Sequence, residues 1–393
     1  MVKKEISLLK GRESSLIRRH PWIFSGAIAK HSLNKDMEDG DIVYVRSNTG
    51  AFLCVGQYSD RGSIAIRILS FDEIEINEKF WQNQLANAIQ YRKTFQIPCA
   101  ETNAYRLIHG EGDNLPGLII DIYDTIAVVQ CHSTGMYRQA ETIATALHAV
   151  LPDLVSIYLR ARDTIGDKET ADRFLLGHTE SVKILENGIP FFVDVVKGQK
   201  TGFFLDQREN RALVGRFAKG KSVLNCFSYT GGFSMYALQN GATTVVSVDI
   251  SPNAIEASQH NAQLLQGTIG SHEAIAEDVL SYLQKHTDTK YDIVIVDPPA
   301  FAKSLSKRHN AVQAYKRLNI AALKTVNNGG LMFTFSCSQV IHTQLFTDTI
   351  IAAGIEAGRK VRIMQYLSQG ADHPINLFHP EGHYLKGLLV YVE

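Results

Sequence analysis

The segment SVLNCFSYTGGFSMYALQNGATTVVSVD, residues 222–249, carries the pattern that decides the fold of this chain. An apolar run leads into a turn at Gly231 and Gly232, apolar residues with helical spacing follow, and a second apolar run ends in Asp249. This order predicts a strand, a helix and a second strand. Such a unit is typical of a parallel sheet that is covered by helices.

The same alternation continues on both sides of this segment. The predicted elements are helices at 206–217, 252–265, 279–284 and 311–326, and strands at 292–297 and 330–336. Nearly continuous apolar strands that alternate with helices indicate a doubly wound, Rossmann-like α/β domain. We assign this domain to residues 181–393, with a hairpin-like segment at 189–196.

The chain before this domain divides in two by its pattern. Residues 1–72 alternate short strands with turn residues, which predicts a small β-barrel, and residues 73–180 predict a central α+β domain. The predicted strands are 5–9, 41–46, 52–58, 64–69, 105–109, 118–123, 125–131 and 155–161, and the predicted helices are 78–95 and 139–151.

The composition excludes several classes of protein. Lys plus Arg and Asp plus Glu both number 40, so affinity for nucleic acid must come from local clusters. The five cysteines form no CxxC pair, which argues against a disulfide framework and against a zinc site. Because the sequence shows neither a signal-peptide core nor a membrane-length apolar run, we expect a cytoplasmic protein without membrane association or metal.

Candidate ligand-binding residues lie at the carboxyl ends of the predicted strands, where ligands of such sheets bind. Gly231 and Gly232 allow close approach of the backbone, and the Asp249 carboxylate can accept hydrogen bonds from two ribose hydroxyls. Glu277 and Asp278 follow as candidates for contact with an adenine. On these residues alone, a tight strand-to-helix turn and a nicotinamide cofactor remain alternatives, although the glycines do not follow GxGxxG.

The fourth strand of the pattern ends in Asp297-Pro298-Pro299, which resembles motif IV of class I methyltransferases. Two prolines fix the backbone after the carboxylate. The Asp297 side chain would then be directed at a target base beside a methyl donor. The alternative is a turn that only ends the strand.

Four segments give the chain a family resemblance. They are GRESSLIRRHPWIFSGAI at 11–28, YRLIHGEGDNLPGLIIDIY at 105–123, GQKTGFFLDQRENR at 198–211, and DPPAFAKS at 297–304 with FSCS at 335–338. With them the chain resembles the ribosomal large subunit methyltransferase I family, bacterial enzymes that form 5-methylcytosine in 23S rRNA. The resemblance implies an N-terminal PUA domain, a central domain and a class I catalytic domain, with S-adenosylmethionine as cofactor and large-subunit rRNA as partner. The oligomeric state stays open, with a homodimer among the alternatives.

The chemistry that this resemblance implies needs a nucleophile, because C5 of cytosine is activated by covalent addition at C6. In the family the SCS motif carries that nucleophile, which here is Cys337, whereas an arbitrary buried cysteine is more often inert. Asp297 would hold the cytosine edge near N3 and stabilise charge there. Pro299 stands where many 5-methylcytosine RNA enzymes have a second cysteine for product release, so the base that acts in release is not identified.

The predicted cofactor and RNA sites follow from these motifs. The cofactor-binding candidates are Phe204, Asp206, Gln207, Arg208, Asn225, Phe227, Tyr229, Gly231, Gly232, Asp249, Ile250, Glu277, Asp278 and Asp297. The RNA-binding candidates are Arg12, Arg18, Arg19, His20, Trp22, Lys200, Lys303, Lys307 and Arg308. Clustered cations with aromatic rings suit RNA phosphates and bases, the alternatives being solvated helix ends and, for Trp22, a place in the barrel core.

The sequence offers three further interpretations. His109, Glu111 and Asp113 lie in a glycine-rich turn without a partner cluster, which argues against metal ligation. Methylation of guanine would need the DPP turn and the cofactor but no thiol. A non-catalytic RNA-binding or ribosome-assembly factor would bind RNA without transferring a methyl group.

Overall fold

A computed structural model describes residues 3–33, 36–166 and 170–393 of the chain. The chain forms two compact units. The first comprises Met1–Ile184, Val193–Leu205 and Ala371–Gly382, and the second comprises Leu185–Phe192, Asp206–Gly370 and His383–Glu393. In the described part of the chain, no helix is both long and apolar enough to span a membrane.

The secondary structure comprises strands and α-helices, joined by short 3-10 turns. The strands are β1 (Lys4–Ser7), β2 (Trp22–Phe24), β3 (Ile42–Arg46), β4 (Phe52–Tyr58), β5 (Ile64–Ser70), β6 (Ala104–His109), β7 (Leu118–Tyr123), β8 (Ile126–Cys131), β9 (Ser156–Arg160), β10 (Arg173–Leu176), β11 (Ser181–Glu186), β12 (Ile189–Asp194), β13 (Ser222–Cys226), β14 (Thr244–Asp249), β15 (Ser271–Ala276), β16 (Tyr291–Val296), β17 (Val326–Ser336), β18 (Val361–Leu367) and β19 (Lys386–Val392). The helices are α1 (Ser14–Ile17), α2 (Glu78–Lys93), α3 (Thr134–Arg138), α4 (Ala140–Val150), α5 (Arg162–Ile165), α6 (Arg208–Phe217), α7 (Gly232–Gln239), α8 (Pro252–Leu264), α9 (Val279–Lys285), α10 (Arg308–Thr325) and α11 (Thr343–Ala357).

The first unit contains two five-stranded sheets. One has the order β1-β3-β4-β5-β2, and its core is built from alternate strand residues such as Ile6, Val43 and Ile66. The other has the order β10-β9-β8-β7-β6, and helices α2 and α4 pack on it through Trp81 and Ile143. The first sheet agrees with the predicted N-terminal β domain, except that β2 is too short to give a periodic signal in sequence.

The second unit contains a seven-stranded sheet with the order β15-β14-β13-β16-β17-β19-β18. Strands β15, β14, β13, β16 and β17 are parallel to one another, and β19 runs antiparallel between β17 and β18. Val294 packs with residues of α10, while the alternate residue Ile293 is also buried, so both faces of the sheet are covered. The predicted Rossmann-like α/β fold is confirmed.

The strand order defines where a ligand binds in this sheet. The chain builds outward from β13 to β14 and β15, and then returns to place β16 on the other side of β13. This reversal is a topological switch point, and a crevice forms there at the carboxyl ends of the strands. The segments that follow β13, β14 and β16 are those that the sequence singled out.

A buried ion pair ties helix α6 to the segment that precedes the sheet. The Arg211 guanidinium donates two hydrogen bonds to the Glu186 carboxylate, at 2.7 Å and 2.6 Å, and both side chains are almost fully buried. The Tyr236 hydroxyl donates a further hydrogen bond to Glu186 at 3.0 Å. Because α6 begins at Arg208, the last residue of the LDQR segment, this pair also fixes residues of the predicted site.

We predict that Glu186→Ala lowers the free energy of unfolding by about 3–5 kcal/mol, because it leaves the buried Arg211 cation without its carboxylate. The measurement is urea denaturation of the full chain. Glu356→Ala is the control, since it removes an exposed partner of Lys316 and should change stability by less than about 1 kcal/mol. Equal effects of the two substitutions would contradict the assigned role of the pair.

Candidate active site

The loop that follows β13 has a strained backbone. Phe227 and Tyr229 have φ values of 59° and 47°, and Gly231 has a φ of 81°. Non-glycine residues rarely adopt this region, and such strain clusters at ligand-binding sites. Alternating left-handed and right-handed residues also direct successive backbone N–H groups into a concave surface.

The two glycines of the loop are required by their surroundings. A Cβ atom on Gly231 would lie 2.3 Å from Oγ of Ser258, and one on Gly232 would lie 3.0 Å from Cδ of Arg211. From the sequence, these glycines are expected to allow close approach of a ligand. In the structure they also admit side chains of α8 and α6, so the loop sits tightly between two helices.

Buried polar atoms without partners collect at this loop. Among the described residues, Oδ1 of Asn225 and the hydroxyl oxygens of Ser228, Thr230 and Ser258 are buried and accept or donate no hydrogen bond. Buried polar groups are normally hydrogen-bonded. Four such atoms at one strand end therefore fit a polar ligand that is bound there.

A chain of hydrogen bonds fixes the orientation of Asn225. Its amide nitrogen donates to Oγ of Ser234 at 2.8 Å, Ser234 and Ser247 bond through their hydroxyls at 2.7 Å, and Ser247 bonds Nε2 of His272 at 2.8 Å. Burial lowers the pKa of His272, which favours the neutral ring. The Asn225 carbonyl oxygen is thereby left for another partner.

The ends of β14 and β15 carry the acidic candidates. The Asp249 carboxylate accepts hydrogen bonds from the backbone N–H groups of Tyr229 and Ser251, both at 2.9 Å. Glu277 donates its backbone N–H to the Asp249 carbonyl at 2.9 Å. The Asp278 side chain caps helix α9. Backbone N–H groups therefore already use part of the hydrogen-bonding capacity of the Asp249 and Asp278 carboxylates. The neighbouring Ile250 is exposed and offers an apolar surface.

The LDQR segment lies against the DPP turn. Nε2 of Gln207 donates to Oδ2 of Asp297 at 3.0 Å, and Asn210 donates to Oε1 of Gln207 at 2.6 Å. The Tyr384 hydroxyl donates to Asp206 at 2.6 Å. The buried Arg208 begins α6 beside them. The structure therefore brings this predicted group together within the second unit.

Phe204 falls in the first unit, whereas the other predicted cofactor residues fall in the second. The Lys200 ammonium lies 4.5 Å from the centre of the Phe204 ring, a cation–π contact. Lys200, an RNA-binding candidate, is itself exposed.

Cys337 and Asp297 lie at the same edge of the sheet. They follow the adjacent parallel strands β17 and β16, whose register pairs Val296 with Thr334. Oγ of Ser338 donates to the Ala302 carbonyl at 2.6 Å and so joins the two loops. Cys337 is partly exposed, whereas Cys54, Cys131 and Cys226 are buried.

Burial raises the pKa of the Tyr315 hydroxyl, and the charges of Cys337 and Asp297 raise it further. Both groups therefore act on the same phenol. This agrees with a shared edge rather than opposite faces of the sheet.

Lys386 is a site residue that the sequence analysis missed. Its side chain is buried, and its Nζ donates to the carbonyl of Ser338 at 2.8 Å, directly after Cys337. Burial lowers the pKa of Lys386 to about 8, against an opposing effect of Cys337. The available signal was a lysine at the start of the apolar strand KGLLVYV, which lies far from Cys337 in sequence.

The RNA-binding candidates fall in both units. In the second unit, Lys303, Lys307 and Arg308 are exposed after the DPP turn. In the first unit the candidates are exposed or partly exposed: Arg12, Arg18, Arg19, His20 and Trp22. The Trp22 indole donates to Glu111 at 2.9 Å and its ring centre lies 4.5 Å from that of His379, so Trp22 is packed as well as accessible.

One cluster in the described residues has the composition of a metal site. Ligand atoms of His20, His379 and Glu381 lie within 4.8 Å of one another. However, Nδ1 of His20 accepts the backbone N–H of Trp22 at 3.2 Å, so in the neutral ring the proton is on Nε2. A protonated Nε2 cannot bind a metal, which makes this cluster a poor ligand set.

Comparisons with known proteins give the site a class. A family model described as S-adenosylmethionine-dependent methyltransferase matches residues 139–353, and a PUA-like domain model matches residues 6–71. A protein named ribosomal RNA large subunit methyltransferase I from Aeromonas salmonicida is 41% identical and covers 98% of both chains. One of the same name from Vibrio vulnificus is 39% identical and covers 97% of this chain and 98% of its own.

Solved structures agree with these sequence matches. A methyltransferase crystallised in complex with SAH is 26% identical, with a TM-score of 0.83 and 100% coverage of both chains. A SAM-dependent methyltransferase from Streptococcus mutans is 25% identical, with a TM-score of 0.83 and coverage of 98% of this chain and 99% of its own. The orphaned polar atoms around the Gly231 loop fit S-adenosylmethionine as the bound group.

We predict that Gly231→Ala weakens S-adenosylmethionine binding at least about tenfold, a loss of about 1.4 kcal/mol, because the new Cβ would clash with Ser258. Isothermal titration calorimetry measures the change. Gly220→Ala is the matched control, since Gly220 also has a positive φ (72°) but no atom within 4 Å of the new Cβ. If both variants bind the cofactor equally, the tight fit of the loop is not what shapes the site.

Proposed function

The chain belongs to the ribosomal RNA large subunit methyltransferase I family, and we propose that it methylates C5 of a cytosine in large-subunit rRNA. Family membership confirms the resemblance noted in the sequence, and S-adenosylmethionine is the cofactor. The observation that carries the cytosine proposal is the partly exposed Cys337 thiol at the strand end beside Asp297.

The residues that would hold the cofactor are those of the strained loop and the neighbouring strand ends. Asn225, Ser228 and Thr230 offer buried polar atoms that need a partner, and Asp249 lies at the end of the adjacent strand. The bound cofactor supplies an electrophilic methyl group on its sulfonium. Ile250 offers an exposed apolar surface for the adenine ring.

The Cys337 sulfur supplies the nucleophile that activates the cytosine ring. As a thiolate it adds to C6 of cytosine, and the electrons of the C5–C6 double bond become available at C5 for the new bond to the methyl carbon. The Asp297 carboxylate, held by Gln207, orients the base edge near N3. A base then takes the C5 proton, the C–H electron pair restores the C5–C6 double bond, and the C6–S bond breaks so that the sulfur leaves as thiolate.

The thiol is also what separates cytosine from guanine as the target. Methylation at an amine or ring nitrogen of guanine would use Asp297 and the cofactor but leave Cys337 without a role. A non-catalytic RNA-binding factor would give no reason for the cluster of buried polar atoms at the Gly231 loop. Both alternatives therefore account for less of the site than cytosine-C5 methylation does.

Exposed cations support an RNA substrate. Lys303, Lys307 and Arg308 follow the DPP turn and suit the phosphates of a strand that enters the site. The PUA-like segment contributes the Arg12–Trp22 candidates named above.

The three domains 1–72, 73–180 and 181–393 remain our proposed division of the chain. A homodimer and a cytoplasmic location stay predictions.

We predict that Cys337→Ala reduces methyl transfer to rRNA to background, because it removes the partly exposed thiol that the described structure places at the strand end beside Asp297. The assay is incorporation of labelled methyl groups into 23S rRNA, followed by mass spectrometry of the nucleosides, with 5-methylcytidine as the expected product. Cys99→Ala, which removes an exposed cysteine of the first unit, is the control and should keep full activity.

Retained activity in Cys337→Ala would rule out the covalent mechanism. A methylated guanosine as the product of the wild-type chain would assign the enzyme to the alternative target. Binding of rRNA without any methyl transfer would support the non-catalytic factor.

A further inference from the structure

Lys386 contacts both chain neighbours of Cys337, the residue that the proposed reaction uses as its nucleophile. In the antiparallel ladder of β17 and β19, Lys386 is the direct partner of Ser336, the residue before Cys337. Its Nζ reaches across to the carbonyl of Ser338, the residue after Cys337, at 2.8 Å. Lys386 therefore contacts the residues on both sides of Cys337, and it is only 3% exposed.

The hydrogen bonds of the amine limit what it can do. Nζ donates to the carbonyls of Ser338 and Tyr384, at 2.8 Å and 2.5 Å. A neutral amine has two N–H donors and one lone pair, whereas an ammonium has three donors. With two donors engaged by carbonyls, the remaining tetrahedral position carries either a lone pair or a third N–H. It can therefore accept a proton or donate one without disturbing the other two bonds.

The electrostatic surroundings favour exchange of a proton with a thiol. Burial lowers the pKa of Lys386, and the charge that opposes this shift belongs to Cys337. Burial lowers the pKa of the His383 imidazole, and the positive charge of Lys386 lowers it further. The Tyr315 phenol senses the charges of both Cys337 and Asp297, which raise its pKa in addition to burial. The two carbonyls that accept from Nζ carry no full negative charge, and a buried ammonium is unfavourable without one, so a thiolate at Cys337 would offset its charge.

We propose that Lys386 accepts the proton of the Cys337 thiol and holds the resulting thiolate as an ammonium–thiolate pair, so that it acts as the positioning residue of the nucleophile. This inference rests on the proposed function. The S–H bond breaks, its proton moves to Nζ, and the electron pair left on sulfur forms the bond to C6. When that bond breaks at the end of the cycle, the pair returns to sulfur and Lys386 again stabilises the thiolate.

The test measures the thiol without RNA or cofactor. The full-length chain is alkylated with iodoacetamide over a range of pH, and peptide mass spectrometry follows each cysteine separately. An unperturbed cysteine has a pKa of about 8.5. We expect the alkylation midpoint of Cys337 to lie clearly below that value, while the exposed Cys99 serves as a reference within the same molecule.

Two substitutions separate charge from packing. Lys386→Met keeps the length and removes the charge, so the Cys337 midpoint should rise by about one pH unit or more, with roughly tenfold slower alkylation near pH 7. Lys386→Arg keeps a permanent cation and should retain the low midpoint. The Cys99 profile should be unchanged in both variants.

A Cys337 midpoint that is unchanged by Lys386→Met, or a wild-type midpoint equal to that of an ordinary thiol, would overturn the inference. If Lys386→Met does not fold, the wild-type profile and Lys386→Arg still decide it. A low midpoint that depends on Lys386, in an enzyme that forms no 5-methylcytidine, would refute the proposed function but support the pair. Formation of 5-methylcytidine with an ordinary midpoint would refute the pair alone.

Discussion

The parallel hydrogen-bonded register of β14, β13, β16 and β17 is the constraint on which the site depends. Because parallel strands end at a common edge, four segments distant in sequence deliver their polar residues to the same place. Asn225, Asp249, Asp297 and Cys337 each lie at or just beyond the end of one of these strands. A slip of one residue in a strand would turn its alternate side chains to the opposite face and disperse the group.

This edge of the sheet contains features that lower the stability of the protein when no ligand is bound. Phe227 and Tyr229 hold left-handed conformations, and polar atoms of Asn225 and its loop are buried without partners in the described chain. Both features are unfavourable in the protein alone and become favourable when a polar ligand supplies hydrogen bonds. The Arg211–Glu186 pair and the Ser234–Ser247–His272 chain hold the loop in this geometry.

Local patterns predicted much of the fold and part of the site. The β13–α7–β14 unit was evident because its apolar periodicity lies within one continuous segment. Strand β15 gives no apolar run because half of its residues are polar and it lies partly exposed at the sheet edge, and β18 and β19 have no helical pattern between them that marks them as strands of this sheet. Lys386 could not be linked to Cys337 because only the antiparallel ladder brings the two together. The same holds for Gln207 and Asp297, whose contact depends on tertiary packing.

The central claim is that the Cys337 sulfur bonds to C6 of a cytosine. It is tested most directly with 23S rRNA transcribed with 5-fluorocytidine, incubated with the enzyme and S-adenosylmethionine. Fluorine at C5 leaves no proton to remove after methyl transfer, so the carbon–sulfur bond should persist. We expect a methylated fluorocytidine attached to the Cys337 peptide in mass spectrometry. An enzyme that methylates normal rRNA but forms no adduct at Cys337 with this substrate would contradict it.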